Sequence, residues 1–167
     1  YNADLANSYG NLFSRVSNMT VKYFEGKVPA CPAEFAENPL KEIADELYPK
    51  YAECLRNVDF GGATSAIMEL VHRANLYVEE SAPWNLAKSE ETMGELAAVL
   101  YNTLEACRIS ALLLAPFMPT ISDELYSRLG LGKATEVTDG AAASQWGGLP
   151  VGNEVVKGDA LFPRLAK

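Results

Sequence analysis

From Leu5 to Leu129 the apolar residues recur in steps of three and four, the spacing of helices that each bury one face. Leu5, Tyr9, Leu12, Val16, Met19 and Tyr23 draw one such stripe and predict a single long helix, stopped by Gly26 and Pro29. Asn38 followed by Pro39 predicts an N-cap and a first-turn proline for a second helix that reaches about Asn57. A proline there gives up an N–H that has no helical partner in any case. Phe60, Ala63, Ile67, Leu70, Ala74 and Val78 mark a third helix opening at Asp59, and the short gap makes it antiparallel to the second. Ser81-Ala82-Pro83 predicts another cap and a brief helix through Trp84 to about Lys88. Thr92 and Glu95 have capping-box spacing, and behind them Leu96, Val99, Leu100, Leu104, Cys107, Ala111 and Leu114 predict a strongly apolar helix ended by Pro116. Thr120 is then expected to cap a last helix that finishes at Leu129-Gly130.

Past Gly130 the periodicity breaks. Eight glycines and prolines, from Gly132 to Pro163, interrupt it, while Trp146, Leu149, Val155, Leu161 and Phe162 supply scattered anchors. The expectation is an all-α fold: a bundle of five to six helices over residues 1–130, with an irregular tail over 131–167 lying on a surface and a short strand at 154–156. No internal repeat suggests a solenoid.

At 167 residues and 49% hydrophobic, the chain can bury a core of its own. No run approaches the roughly 20 continuous apolar residues of a spanning helix, which predicts a soluble protein without a membrane partner. The start, Tyr1-Asn2-Ala3-Asp4-Leu5, has no initiator Met and no signal run, and reads as a piece that begins inside a helix. Cys31, Cys54 and Cys107 are odd in number and far apart, so they predict reduced structural thiols and a cytoplasmic setting, with no disulfide framework or zinc site. A lone His72 excludes a two-histidine metal site within the chain, and no metal is expected. The net charge of −8 argues against a domain that grips nucleic acid by its phosphates. The charge is uneven, however: residues 1–27 carry three bases against two acids, whereas residues 34–59 carry seven acids against three bases. Any RNA should therefore meet the first segment, through bases more than through backbone.

No phosphate loop, nucleophile elbow or metal ligand set is present, which predicts that this stretch is non-catalytic by itself. A polar stripe does stand out. Asn7, Asn11, Arg15, Asn18 and Lys22 share one flank of the first helix, and asparagine is a poor helix former, so three on one flank ask for a reason. Two reasons are open: an Asn amide and an Arg guanidinium can meet and stack on unpaired bases, or the stripe caps neighbouring helices and bridges to other parts of a longer chain. Trp84, just after a helix-starting proline at a corner, is likewise either a core residue or a partly exposed stacking platform.

Four motifs carry a resemblance. The run Tyr1 to Asn7 with Gly10-Asn11-Leu12-Phe13-Ser14-Arg15 resembles the opening helix of the anticodon-binding domain of methionyl-tRNA synthetases. Asn75-Leu76-Tyr77 with Ala82-Pro83-Trp84 and Lys88, then Leu114 to Pro119, then Trp146 to Gly152 with Leu161-Phe162-Pro163-Arg164, are similar to that family's later hallmarks, in order and over nearly the whole chain. The resemblance implies a helical bundle that reads the CAU anticodon of methionine tRNA. It also implies a catalytic domain elsewhere in the same chain, acting as an ATP- and Mg-dependent methionine-tRNA ligase; no cofactor is expected within this stretch. It places anticodon contacts on Asn11, Arg15 and Trp84, and a tail that packs on the bundle or back toward the catalytic half, loose when isolated. The alternatives are the corresponding domain of the cysteine, leucine, isoleucine or valine enzyme, and a helical protein-interaction module without an RNA role.

Overall fold

A computed structural model describes residues 2–162, with side chains from Asp4 onward. The described residues form an all-α bundle: α1 (Asn11–Phe24), α2 (Pro39–Arg56), α3 (Phe60–Ser81), the short α4 (Pro83–Leu86), α5 (Met93–Leu114), α6 (Pro119–Arg128) and the short α7 (Gly140–Ala143).

Before α1 the chain is not in the expected register. Residues Asn2–Gly10 form a π-helix, whose i→i+5 bonds widen each turn, so the stripe drawn at helical spacing from Asn7 to Asn11 does not continue straight. Two contacts suit the widening. The Asn75 amide donates to the Ser8 carbonyl (3.2 Å), and Gly10 keeps the place where a Cβ would stand 3.3 Å from the Leu5 carbonyl and 3.4 Å from the Phe162 ring.

α2 begins as its sequence predicts: the Asn38 side chain accepts from the N–H groups of Leu40 and Lys41, with Pro39 in the first turn. The Asp59 carboxylate caps α3 by accepting from Gly62. The two helices run antiparallel, with Lys50 paired to Glu69 at 3.1 Å. Three predicted caps fail. Ser81 is the last residue of α3, and Ala82, at φ 44°, makes the turn into α4 instead. Thr92 forms no capping box, because its hydroxyl turns back to donate to the Leu86 and Ser89 carbonyls while Ser89 caps the preceding turn. Thr120 lies inside α6: Pro119, with its φ already helical, takes the first position and moves the cap back to Met118.

α5 is the axis of the molecule, with every residue from Leu96 to Leu114 buried. By length and composition the 90–114 stretch would suffice to cross a membrane, yet its apolar 18-residue window is wholly buried inside the molecule. Tyr9 and Tyr51, from opposite sides, each donate to an α5 carbonyl, Cys107 and Leu113, at 2.9 Å. At the centre of this apolar rod sit Glu105 and Arg108, paired at 2.6 Å and almost fully buried. Burial opposes the charge on Arg108, but hydrogen bonds and charge from Glu105 outweigh it and raise the guanidinium above its ordinary value.

That pair is a socket for the tail. Glu105 accepts from the N–H groups of Gly147, Gly148 and Leu149 at 2.9–3.1 Å, and Arg108 donates to the carbonyls of Ala143 and Gln145. The approach is close: a Cβ at Gly148 would stand 2.7 Å from the Arg108 guanidinium. Farther on, Val155, Leu161 and Phe162 are buried in the same core as the helices. The expected strand at 154–156 shrinks to one antiparallel bridge between Lys27 and Glu154, flanked by Val155 N–H to the Gly26 carbonyl at 2.7 Å. On its partner segment the pairing ends at Val28, whose N–H donates to the Asn153 carbonyl and whose carbonyl accepts from the Gly152 N–H, each at 2.9 Å. Through residue 162 the tail is thus fastened to the bundle rather than loose.

Candidate nucleic-acid interface

Trp84 is presented by a corner. Ala82, in the left-handed region, reverses the chain after α3; Pro83 starts α4 and is itself buried; and the indole that follows points outward, 41% exposed. The left-handed conformation is unusual for alanine and is held by the Ala82 N–H bonding the Val78 carbonyl. Across from this corner lies α1, seated by buried Leu12, Phe13 and Val16.

The structure brings Arg15 and Trp84 together. The guanidinium carbon lies 5.9 Å from the indole centroid, within cation–π range. The same guanidinium pairs with Glu79, on the last turns of α3, at 2.7 Å. Both side chains of that pair are well exposed, 38% and 57%, so it contributes little stability, about 0–1 kcal/mol, and Arg15 is released from it at small cost. Glu79 did not stand out in the sequence; its only signal was a carboxylate five residues before Trp84, at the end of a helix. Asn11, one turn before Arg15, is exposed and, with Ser14 and Asn18, lines a cleft of about 440 Å³ against the tail that Arg15 does not line. The other asparagines of interest diverge. Asn7 lies exposed in the π-helical segment, and Asn75 is committed to Ser8 and Val71. His72 sits on the exposed face of α3, 3.8 Å from Asp4.

Among the described residues no cluster of three His, Cys, Asp or Glu side chains is placed to hold a metal ion. The three cysteines are free; burial pushes the Cys107 thiol well above its usual value, and burial together with Glu34 raises that of Cys31. An aromatic face beside a cation, on a chain with a net charge of −8, suits unstacked bases of a nucleic-acid loop better than a phosphate backbone.

The chain belongs to the family of anticodon-binding domains of methionyl-tRNA ligase, whose family model matches residues 28–167. It is 39% identical over 165 residues to a methionine–tRNA ligase of Caldanaerobacter subterraneus, covering 98% of this chain and 25% of that protein. It is 41% identical over 178 residues to the corresponding Streptomyces coelicolor ligase, covering 99% and 32%. The apo crystal structure of Mycobacterium tuberculosis methionyl-tRNA synthetase superposes with a TM-score of 0.84 at 27% identity, over 99% of this chain and 33% of that one. The chain thus spans about a quarter to a third of the length of these relatives. The family model begins after α1, so the helix bearing Asn11 and Arg15 lies outside its match, whereas the two ligase alignments cover nearly the whole chain. Membership selects the methionine family over the cysteine, leucine, isoleucine and valine alternatives.

Proposed function

We propose that this chain reads the CAU anticodon of methionine tRNA for a methionine–tRNA ligase, with Asn11, Arg15 and Trp84 as its anticodon contacts. The catalytic domain would lie in the same polypeptide, use ATP and Mg, and charge the tRNA; the free thiols suit the reducing cytoplasm. The observation that carries the reading is the exposed indole with a guanidinium 5.9 Å away, each on an element whose other side is buried. A splayed base stacks on the indole, and Arg15 exchanges the weak Glu79 pair for a base edge or for stacking on the same base. Recognition of this kind needs few cations, which reconciles it with the acidic surface.

The test is titration of anticodon stem-loops at low salt, comparing CAU with altered anticodons. Trp84→Ala should weaken CAU binding by about 1–3 kcal/mol, the worth of one stacked base. Asn11→Ala and Arg15→Ala should narrow the gap between CAU and other anticodons without lowering the melting temperature. Equal affinity for every anticodon, or full affinity in Trp84→Ala, would overturn the assignment.

A further inference from the structure

α1 carries one polar stripe, and only its Arg15 edge faces Trp84. At about 100° per residue, Asn18 lies about 20° to one side of Asn11 and Arg15 about 40° to the other. Arg15 turns to Glu79 and Trp84, whereas Asn11, Ser14 and Asn18 line the cleft of about 440 Å³ whose far wall is the 157–162 stretch of the tail. We propose that this cleft is a second base pocket. It takes an unstacked nucleotide of the same RNA loop, next to the one on Trp84, with Asn11 and Asn18 reading the base edge and Lys157 meeting its phosphate. The proposal rests on the anticodon reading above.

Three features support it. The wall is built before any RNA arrives: Arg128 donates to the Asp159 carbonyl at 2.8 Å, its guanidinium would stand 2.8 Å from a Cβ at Gly158, and Leu161 and Phe162 are buried, with Phe162 6.0 Å from the Tyr9 ring. A preformed pocket spares a ligand the cost of ordering its walls. The lining is graded as a base requires, with Phe13, Leu161 and Phe162 apolar and Asn11, Ser14 and Asn18 polar, and its volume lies within the range of about 300–1,000 Å³ typical of small-ligand sites. Its donors are also unspent. Among the described residues neither the Asn11 and Asn18 amides nor the Lys157 ammonium has a hydrogen-bond or ion-pair partner, whereas Arg128 is already neutralised by Glu124 at 2.8 Å. Asp159, exposed at the mouth, disfavours a phosphate inside and makes the base the part that enters.

The test uses a CAU stem-loop with 4-thiouridine placed at each loop position in turn, and the variants Asn18→Ala, Lys157→Ala and Ala160→Trp. All three positions are exposed, so the fold tolerates them, and Ala160→Trp fills the cleft. One loop position should cross-link to peptides from residues 11–18 or 157–162, and an adjacent one to the peptide holding Trp84. Asn18→Ala and Ala160→Trp should weaken binding by about two- to tenfold, the range of one net hydrogen bond, with the loss concentrated on one base. Lys157→Ala should reduce the slope of log affinity against log salt by about 0.7, one phosphate contact to a single strand. If Trp84→Ala weakens binding while these three variants leave affinity, salt slope and cross-links unchanged, the second pocket is refuted and the anticodon reading stands. If the unaltered protein shows no anticodon preference, both fall.

Discussion

Glu105→Gln is a near-isosteric change with a large expected cost. In the native protein one carboxylate oxygen accepts from Gly147, Gly148 and the Arg108 Nη2, and the other from Leu149 and the Arg108 Nε, with neither side chain more than 3% exposed. An amide replaces one acceptor oxygen with an NH2, which points a donor at donors, loses at least two of these bonds and leaves Arg108 without its counter-charge. Bonds to charged groups are worth about 1.5–3 kcal/mol each, and breaking a buried ion pair from one side costs about 3–5 kcal/mol. We therefore expect a loss of about 3–5 kcal/mol, a large share of the roughly 5–15 kcal/mol that stabilises a typical domain. For a chain of this length that lowers the melting temperature by about 6–20 °C. Thermal unfolding followed by circular dichroism reads the loss, and limited proteolysis should show cleavage appearing within residues 143–152. A second variant, Arg108→Met, sharpens the test: combined with Glu105→Gln, the two costs should sum to more than the double variant loses, by about 1 kcal/mol or more. A drop under about 2 °C for Glu105→Gln, or strict additivity in the pair, would refute the idea that this buried charge holds the tail.

Two further outcomes follow from neighbouring groups. The Tyr101 phenol, which donates to the Leu149 carbonyl, is pushed up to about 12 by burial and by the nearby Glu105 charge. The native state therefore keeps a proton that the unfolded chain releases near pH 10, so this stability is complete below about pH 10 and fades as pH climbs toward 12. Tyr101→Phe should flatten the alkaline limb of a stability–pH curve, and an unchanged limb would count against it. Asn75→Ala removes the donor to Ser8 and should speed amide exchange in the first segment about fivefold, the equivalent of about 1 kcal/mol, while α2 and α3 exchange as before. Uniform acceleration across the molecule would show instead that Asn75 supports the whole fold.

The elements that could be read in the sequence were those decided locally. Asn38-Pro39 carries its own start signal, and the apolar stripes of α2, α3 and α5 need only a core to face. Asn11, Arg15 and Trp84 came from one-turn spacing joined to a motif, and the structure puts two of them side by side while Asn11, one turn away, lines the cleft against the tail. What stayed hidden depends on distant partners. The π-helical start hangs on Asn75 and Phe162, more than sixty residues away, and Thr92 looks like a cap until its hydroxyl finds Leu86. Glu105 and Arg108 did leave a trace, two opposite charges three residues apart in a strongly apolar helix. Only the folded tail explains them, because a buried carboxylate must find N–H groups and the nearest supply is forty residues downstream.

The way Glu105 is satisfied changes where this protein can be cut. A division after Gly130, natural on hydropathy alone, would strand the Glu105 carboxylate in the middle of α5 and strip the core of Leu149, Val155, Leu161 and Phe162 at once. The smallest autonomous piece must therefore run through Phe162, and a tag or fusion partner is better joined beyond that point than inside the glycine-rich stretch, whose main chain serves as the solvent for a charge that water never reaches.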